Sequence, residues 1–237
     1  MIIHAEIGGY MLVYGRNVAE EVIKRNIKIN KIYIQDNMDS EITNMLSSYK
    51  KITMKKREMD NKFPYVHQGI VMDIIDYKYK ELKDIKFNNS LVVMLDHIED
   101  PHNFGAIIRT CEAAGVEYII IPDNRSVEVN STVIKTSVGT VFNMNIIKVP
   151  NLVNTINYLK KNGFWIVGTD MSGTDYAEID YKGNTCIIVG NEGKGMSRLV
   201  SDNCDFIASI PMLGEVNSLN ASVACAIVVF EAVKSRR

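Results

Sequence analysis

Three short stretches carry the residue types that could do chemistry. "DHIEDPHNFGAIIR" (residues 96–109) holds Asn103, Gly105 and Arg109; "GNEGKG" (residues 190–195) holds one carboxylate, Glu192, in a glycine-lined turn; "IPMLGEVNSLNAS" (residues 210–222) crowds Asn217, Ser218, Asn220 and Ser222 together. An arginine beside a glycine-rich turn suits a phosphate or a developing oxyanion. Glycine costs stability early in a helix, so Gly105 suggests the close approach of a backbone or a substrate. Each residue also has a structural reading. Asn103, Ser218 and Asn220 could cap helices, and Arg109, Lys194 and Arg198 could be solvated surface charge.

The glycine-rich turn fits neither common nucleotide fingerprint. Gly190 and Gly195 have the phosphate-loop separation, but Met196 and Ser197 follow where a Lys-Ser/Thr pair is needed. Gly190, Gly193 and Gly195 also miss the dinucleotide spacing. What remains is either a plain strand-to-helix turn or a backbone surface that a ligand can approach closely. His97 and His102 bracket one loop without a third convergent ligand, so no metal is expected.

These stretches sit at the carboxyl ends of expected strands, where ligands bind in open α/β sheets. Apolar runs at residues 91–96, 118–121, 144–149, 164–169, 186–190 and 206–210 read as strands. Helical patterns at 103–115, 151–163 and 221–233 lie among them. Continuous apolar strands alternating with helices imply an α/β fold with a mostly parallel sheet covered on both faces. The last helix is apolar on most sides, which predicts burial, in part at a subunit interface.

The front of the chain is different. A helix at 17–26, a strand at 31–35, a helix at 40–50 with Ser40 as its cap, and a strand at 69–75 suggest a small α/β domain. Residues 77–90 are polar and break the pattern. The expected division is a small domain at 1–76, a linker at 77–90 and a larger domain at 91–237. Residues 1–83 carry 14 Lys and Arg against 11 Asp and Glu, and residues 84–237 carry 13 against 17. The overall charge of −1 therefore hides a positive front. Its "KKITMKKRE" (residues 50–58) has five cations and one acid, either a solvated surface strand or loop or a patch that meets phosphates.

Composition excludes other classes. With 46% apolar and 23% charged residues the profile is that of a soluble globular protein. No apolar run reaches the length of a membrane span. The N-terminal dozen residues lack the basic region of a secretory signal and carry Glu6. Cys111, Cys186, Cys204 and Cys225 are scattered in apolar surroundings, which fits free thiols in a cytoplasmic protein. Neither a membrane nor DNA is expected as a partner.

Taken together, the three stretches resemble the SpoU family of RNA ribose 2'-O-methyltransferases, within the SPOUT class. Asn103, Gly105 and Arg109 match its N-x-G-x-x-x-R motif; Gly190, Glu192 and Gly195 match its G-x-E-x-x-G run; Ile210, Pro211, Met212, Gly214, Ser218, Leu219, Asn220 and Ser222 match its third motif. "YGRNVAEEVI" and "VHQGIVMDI" resemble the ribosomal-protein-like RNA-binding domain of the subgroup that methylates a guanosine of 23S ribosomal RNA. Members that modify tRNA or confer antibiotic resistance share this layout. The resemblance implies a trefoil-knotted C-terminal domain, S-adenosyl-L-methionine as cofactor, an RNA substrate and a homodimer. It implies cofactor contacts at Gly190, Ile210 and Leu219. It makes Arg109 the catalytic candidate, with Asn103, Glu192, Ser218 and Asn220 positioning it and the ribose. A non-catalytic RNA-binding protein and a small-molecule nucleotide enzyme are the readings from other classes.

Overall fold

The computed structural model describes residues 9–216 and 218–237. The N-terminal stretch read for a secretory signal falls largely on residues 1–8, which lie outside the described residues, as does Asn217.

The described residues form two compact units, one running to Lys78 and including Val129–Phe142, the other made of Tyr79–Glu128 and Asn143–Arg237. In chain order the first elements are β1 (Tyr10–Tyr14), α1 (Arg16–Lys24), β2 (Ile29–Gln35), α2 (Ser40–Met45), β3 (Ile52–Met54), α3 (Lys56–Lys62) and β4 (Ile70–Ile75). The strands form one sheet in the order β1-β4-β2-β3. β4 is antiparallel to both its neighbours, and β3 runs parallel to β2 at the edge. α1 buries Val18, Ala19 and Val22, while Ile23, which the spacing puts on the same face as Val18 and Val22, stays partly exposed. α2 is shorter than its pattern suggested, and its cap is Asp39, not Ser40: the Asp39 carboxylate accepts from Ile42 N–H at 3.1 Å. The basic run at 50–58 turns out to be the edge strand β3 and the first turn of α3. A three-residue strand with only Met54 partly covered leaves too little periodicity to read.

The second unit begins within the stretch expected to be a linker. Lys80 bridges to Ile147, a 3-10 turn covers Leu82–Asp84, and Ile85 is buried in the core. β5 (Leu91–Asp96), α4 (Pro101–Ala114) and β6 (Tyr118–Pro122) follow. The chain then places α5 (Ser131–Thr136) in the first unit. It continues through β7 (Asn145–Val149), α6 (Leu152–Lys161), β8 (Trp165–Asp175), β9 (Thr185–Gly190), α7 (Arg198–Ser201), β10 (Phe206–Ser209) and α8 (Ala221–Ser235). Six strands make a sheet in the order β10-β8-β9-β5-β6-β7, every pair parallel. β5 and β9 are buried along their whole length, so they read as continuous apolar runs.

The strand order reverses at the β5/β9 pair, which puts a crevice at their carboxyl ends. Asp96 stands opposite Gly190 there. α8 packs on α4 and β9. It buries Cys225, Val228, Val229 and Ala232 but leaves Val223 and Phe230 about half exposed. Its apolar character all round is therefore only partly used within this chain. Arg236 fastens its end by donating to the carbonyls of Tyr181, Gly183 and Asn89. Among the described residues no helix is long and apolar enough to cross a membrane.

Candidate functional site: a pocket at the carboxyl ends of the central strands

Local sequence decides which side chains are free for the site. α4 starts earlier than expected, with Pro101 in its first turn and Asp100 as its cap. The Asp100 carboxylate accepts from the N–H groups of His102 and Asn103 at 3.2 and 3.1 Å. Asn103 is thus not the cap, and its amide can act elsewhere. It donates to Glu192 Oε1 at 2.6 Å and accepts from Asn220 Nδ2 at 2.9 Å. Asn220 caps α8, and its own oxygen accepts from the N–H and hydroxyl of Ser222. That cap fixes which end of the Asn220 amide is the donor. A directed chain results, Asn220 to Asn103 to Glu192, and it ends on a carboxylate.

A second network shapes the turn that carries Glu192. Asn191 and Gly195 exchange backbone hydrogen bonds at 3.0 and 2.8 Å, closing the loop. Asn191 Nδ2 donates to the His97 carbonyl at 2.8 Å, and Asn191 Oδ1 accepts from Gly193 N–H. Asp96, almost fully buried, accepts from Ser197 N–H at 2.6 Å and lies 2.5 Å from His97 Nδ1. Gly190 has no room for a side chain, because a Cβ would lie 2.3 Å from the backbone at Gly195 and Met196. Gly195 has φ near 66°, the left-handed region that favours glycine.

Between this loop and the segment ahead of α8 lies a cavity of about 360 Å³, within the small-molecule range of roughly 300–1,000 Å³. Gly190, Ile210, Ser218, Leu219 and Glu192 all line it. Val189, Ala208, Met212, Ala221 and Ala224 give it an apolar wall, and Thr169, Asp170 and Lys194 add polar groups. An apolar slot rimmed by main chain and two carboxylates suits an amphiphilic cation bearing an adenosyl group. The residues present therefore fit S-adenosylmethionine.

Arg109 stands apart. It is exposed on α4, does not line the cavity, and makes no hydrogen bond or ion pair among the described residues. Six residues beyond Asn103, it lies about 9 Å further along the helix and roughly 120° round it. Arg198 pairs loosely with Asp202 at 3.6 Å on the surface. Sequence reasoning missed Asp96, Asn191 and Asp170. Asp96 alone had a signal, a carboxylate at the end of an apolar strand. Two of the thiols are poor nucleophiles: its hydrogen bond with Cys225 and its burial hold Cys111 well above the usual thiol range, and burial pushes Cys204 to about 11. Among the described residues no three His, Cys, Asp or Glu side chains are grouped to hold a metal ion.

Comparison with known proteins gives the family and the fold. Residues 90–230 match the SpoU rRNA Methylase family, and residues 12–80 match the RNA 2'-O ribose methyltransferase substrate binding family. A relative from Staphylococcus saprophyticus, assigned to the TrmH family of tRNA/rRNA methyltransferases, is 41% identical over 239 residues, covering 95% of this chain and 96% of its own. One from Staphylococcus aureus (strain COL), assigned likewise, is 42% identical over 238 residues, covering 95% and 96%. Among solved structures, the SpoU methyltransferase AviRb from Streptomyces viridochromogenes, in complex with AdoMet, shares the fold with a TM-score of 0.83. It is 24% identical and covers 95% of this chain and 90% of its own. An AdoMet-bound rRNA methyltransferase from Sinorhizobium meliloti also has a TM-score of 0.83, with 24% identity and coverage of 95% and 87%. The substrate-binding unit, the parallel-sheet unit and the pocket at its strand ends have one explanation in common: this chain belongs to the SpoU/TrmH family of tRNA/rRNA methyltransferases.

Proposed function

We propose that this chain methylates the ribose 2'-hydroxyl of a guanosine in 23S ribosomal RNA, using S-adenosyl-L-methionine in the pocket at the ends of β9 and β10. The observation that carries the reading is the Asn220–Asn103–Glu192 chain at the rim of that pocket. It holds a fixed carboxylate at the cavity rim, which supports a methyl acceptor being oriented there.

Gly190, Ile210 and Leu219 hold the cofactor, largely through main chain. When bound, S-adenosylmethionine supplies a methyl group on a sulfonium, electrophilic enough for a hydroxyl once that hydroxyl is oriented. With the cofactor held there, the ribose oxygen would gain the methyl carbon and the carbon–sulfur bonding pair would return to sulfur. A hydroxyl is a weak nucleophile, so the protein must place it and offset its growing charge. Arg109 does the second task. An arginine stays protonated in proteins and cannot take the proton, but its guanidinium can stabilise a forming alkoxide. Glu192, aligned by Asn103, accepts the hydroxyl's hydrogen bond and then its proton. Ser218 and Asn220 fix the segment that faces the ribose. Much of the acceleration comes from positioning.

The active form is a homodimer in this reading. Val223 and Phe230 are apolar and about half exposed on α8, and Arg109 lies off the pocket of its own chain. A second copy packed on α8 covers the first two and brings Arg109 to the partner's pocket. The C-terminal unit is a trefoil knot, which the return of α8 from the edge strand β10 to the centre of the sheet supports. The unit running to Lys78, with residues 129–142, reads the RNA, and the unit made of residues 79–128 and 143–237 catalyses, all in the cytoplasm.

The test is methyl transfer from labelled S-adenosylmethionine to protein-free 23S ribosomal RNA and, in parallel, to bulk tRNA. Label on a guanosine ribose of 23S RNA is the expected result. Label on tRNA would keep the chemistry and overturn the substrate. A protein that binds cofactor and labels neither would overturn the catalytic reading.

A further inference from the structure

The first unit carries a second built surface, where the stretches "YGRNVAEEVI" and "VHQGIVMDI" begin. Tyr14 and Tyr65 are stacked face to face, ring centroids 4.8 Å apart and planes 6° from parallel. Tyr65 is 42% exposed and the next residue, Val66, is 78% exposed. Apolar groups so exposed would ordinarily sit on a mobile loop or fold away. Here the loop is held. Tyr65 N–H donates to the Phe63 carbonyl at 2.7 Å, and His67 N–H donates to the Tyr65 carbonyl at 2.8 Å. His67 is buried, accepts from Gly69 N–H at 3.0 Å through Nδ1, and pairs with Asp60 at 3.0 Å through Nε2. The Tyr65 ring is thus backed by Tyr14 and presented outward on a fixed turn.

A cation completes the surface. Lys135, on α5, reaches over Tyr14 with its ammonium 5.7 Å from the ring centroid and donates to Gln68 Oε1 at 3.0 Å. It has no carboxylate partner among the described residues, and burial lowers its pKa. Tyr14, Phe63, Tyr65, Val66, Asp60 and Lys135 line one recess. Asp60, the one carboxylate among those lining residues, is engaged by His67. Upstream, Lys55, Lys56 and Arg57 are exposed at the start of α3, whose end leads into the aromatic turn. Flat aromatic faces beside unpaired cations are the composition that binds single-stranded nucleic acid, the base on the ring and the phosphate on the cation.

We propose that the Tyr14–Tyr65 stack, with Val66 and Lys135, is the platform on which an unpaired base of the substrate RNA stacks. Tyr65 presents its face to the base and Lys135 takes the adjoining phosphate. The platform recognises a looped-out or single-stranded nucleotide, so the unit selects RNA with an unstacked base near the target, not uniform duplex. This rests on the reading of the chain as an RNA methyltransferase.

The test uses the full chain and two probes, protein-free 23S ribosomal RNA and bulk tRNA. Filter retention gives Kd, and labelled S-adenosylmethionine gives KM and kcat. Tyr65→Ala should raise Kd and KM for the labelled RNA by roughly tenfold or more, the scale of one lost base stack, with little change in kcat. Tyr65→Phe, which keeps the ring, should stay near the native values. Val66→Glu, at a position too exposed to matter for folding, should weaken binding as well. Lys135→Met should reduce the slope of log Kd against log salt by about one. Cofactor affinity and melting temperature should hold in Tyr65→Ala and Val66→Glu. Native Kd and KM in those two variants would overturn the platform and leave the surface to a protein partner, with the catalytic reading intact. If the native protein binds RNA but transfers no label, the catalytic reading fails while the Kd series still decides the platform. If it binds neither RNA, both fall.

Discussion

Asn103 and Glu192 lie 89 residues apart in the chain, yet the Asn103 amide donates to the Glu192 carboxylate at 2.6 Å, while its oxygen accepts from Asn220 at 2.9 Å. One side chain therefore ties together the start of α4, the glycine-lined turn after β9 and the cap of α8. Asn103 is available for this only because Asp100 has taken over the capping of α4.

Replacing Asn103 tests that link. Asn103→Ala leaves Glu192 unaligned and the Asn220 amide without its acceptor. Small misplacement of reacting groups costs on the order of a hundredfold in rate. The expected outcome is a kcat lower by about that factor, with S-adenosylmethionine affinity by calorimetry near native. Equal losses in kcat and in cofactor binding would show that Asn103 shapes the pocket instead.

The turn after β9 should tolerate no side chain at Gly190. A Cβ there would sit 2.3 Å from backbone atoms of Gly195 and Met196, so Gly190→Ala must open the Asn191–Gly195 closure. We expect cofactor affinity to fall at least tenfold while the protein stays folded, because the turn sits at the surface. Structural shifts of this kind in a packed backbone typically cost about 1–3 kcal/mol. Unchanged affinity would remove the turn from the cofactor site.

Arg109 gives a test of the homodimer. Arg109→Ala and Glu192→Gln should each be inactive alone. Mixed and allowed to exchange subunits, they should regain up to about a quarter of native activity if Arg109 serves the partner's pocket, since half the dimers are mixed and each has one complete site. This is the ordinary logic of an isologous two-fold assembly. No recovery, with subunit exchange verified, would put Arg109 and Glu192 in one subunit's site.

Lys135 should trade stability for binding. Burial lowers its pKa below the usual lysine value, so carrying the charge costs folding free energy wherever both folded and unfolded states are protonated. That cost fades as pH rises from the folded value to the unfolded one, and stability falls again as pH is lowered. Lys135→Met should therefore melt slightly higher than the native protein near neutral pH, the two converging toward the ordinary lysine range. A native protein that melts higher than Lys135→Met at neutral pH would contradict this sign.

Much of this molecule is legible along the chain. The fully buried strands β5, β6 and β9 are unbroken apolar runs, because a parallel sheet covered on both faces demands them. Gly190, Glu192, Ile210, Ser218 and Leu219 announce themselves as motifs at strand ends, and all five line one cavity. Short elements with little burial, such as β3 and α3, leave no such trace. The partner of each polar side chain is also hidden, because hydrogen bonds between residues 89 or 117 positions apart obey no sequence period. Capping reads as local chemistry, yet the sequence points to Asn103 and Ser40 where the folded turns use Asp100 and Asp39, a choice made by geometry that only the folded turn supplies. The same holds for Lys135, which the chain carries among the residues of the larger sheet and the fold assigns to the smaller one. Residue types and periods thus state the chemistry available and the layers that hold it. Which groups meet, and which are left facing outward, follows from packing, since contact energies act between neighbours in space and not in sequence.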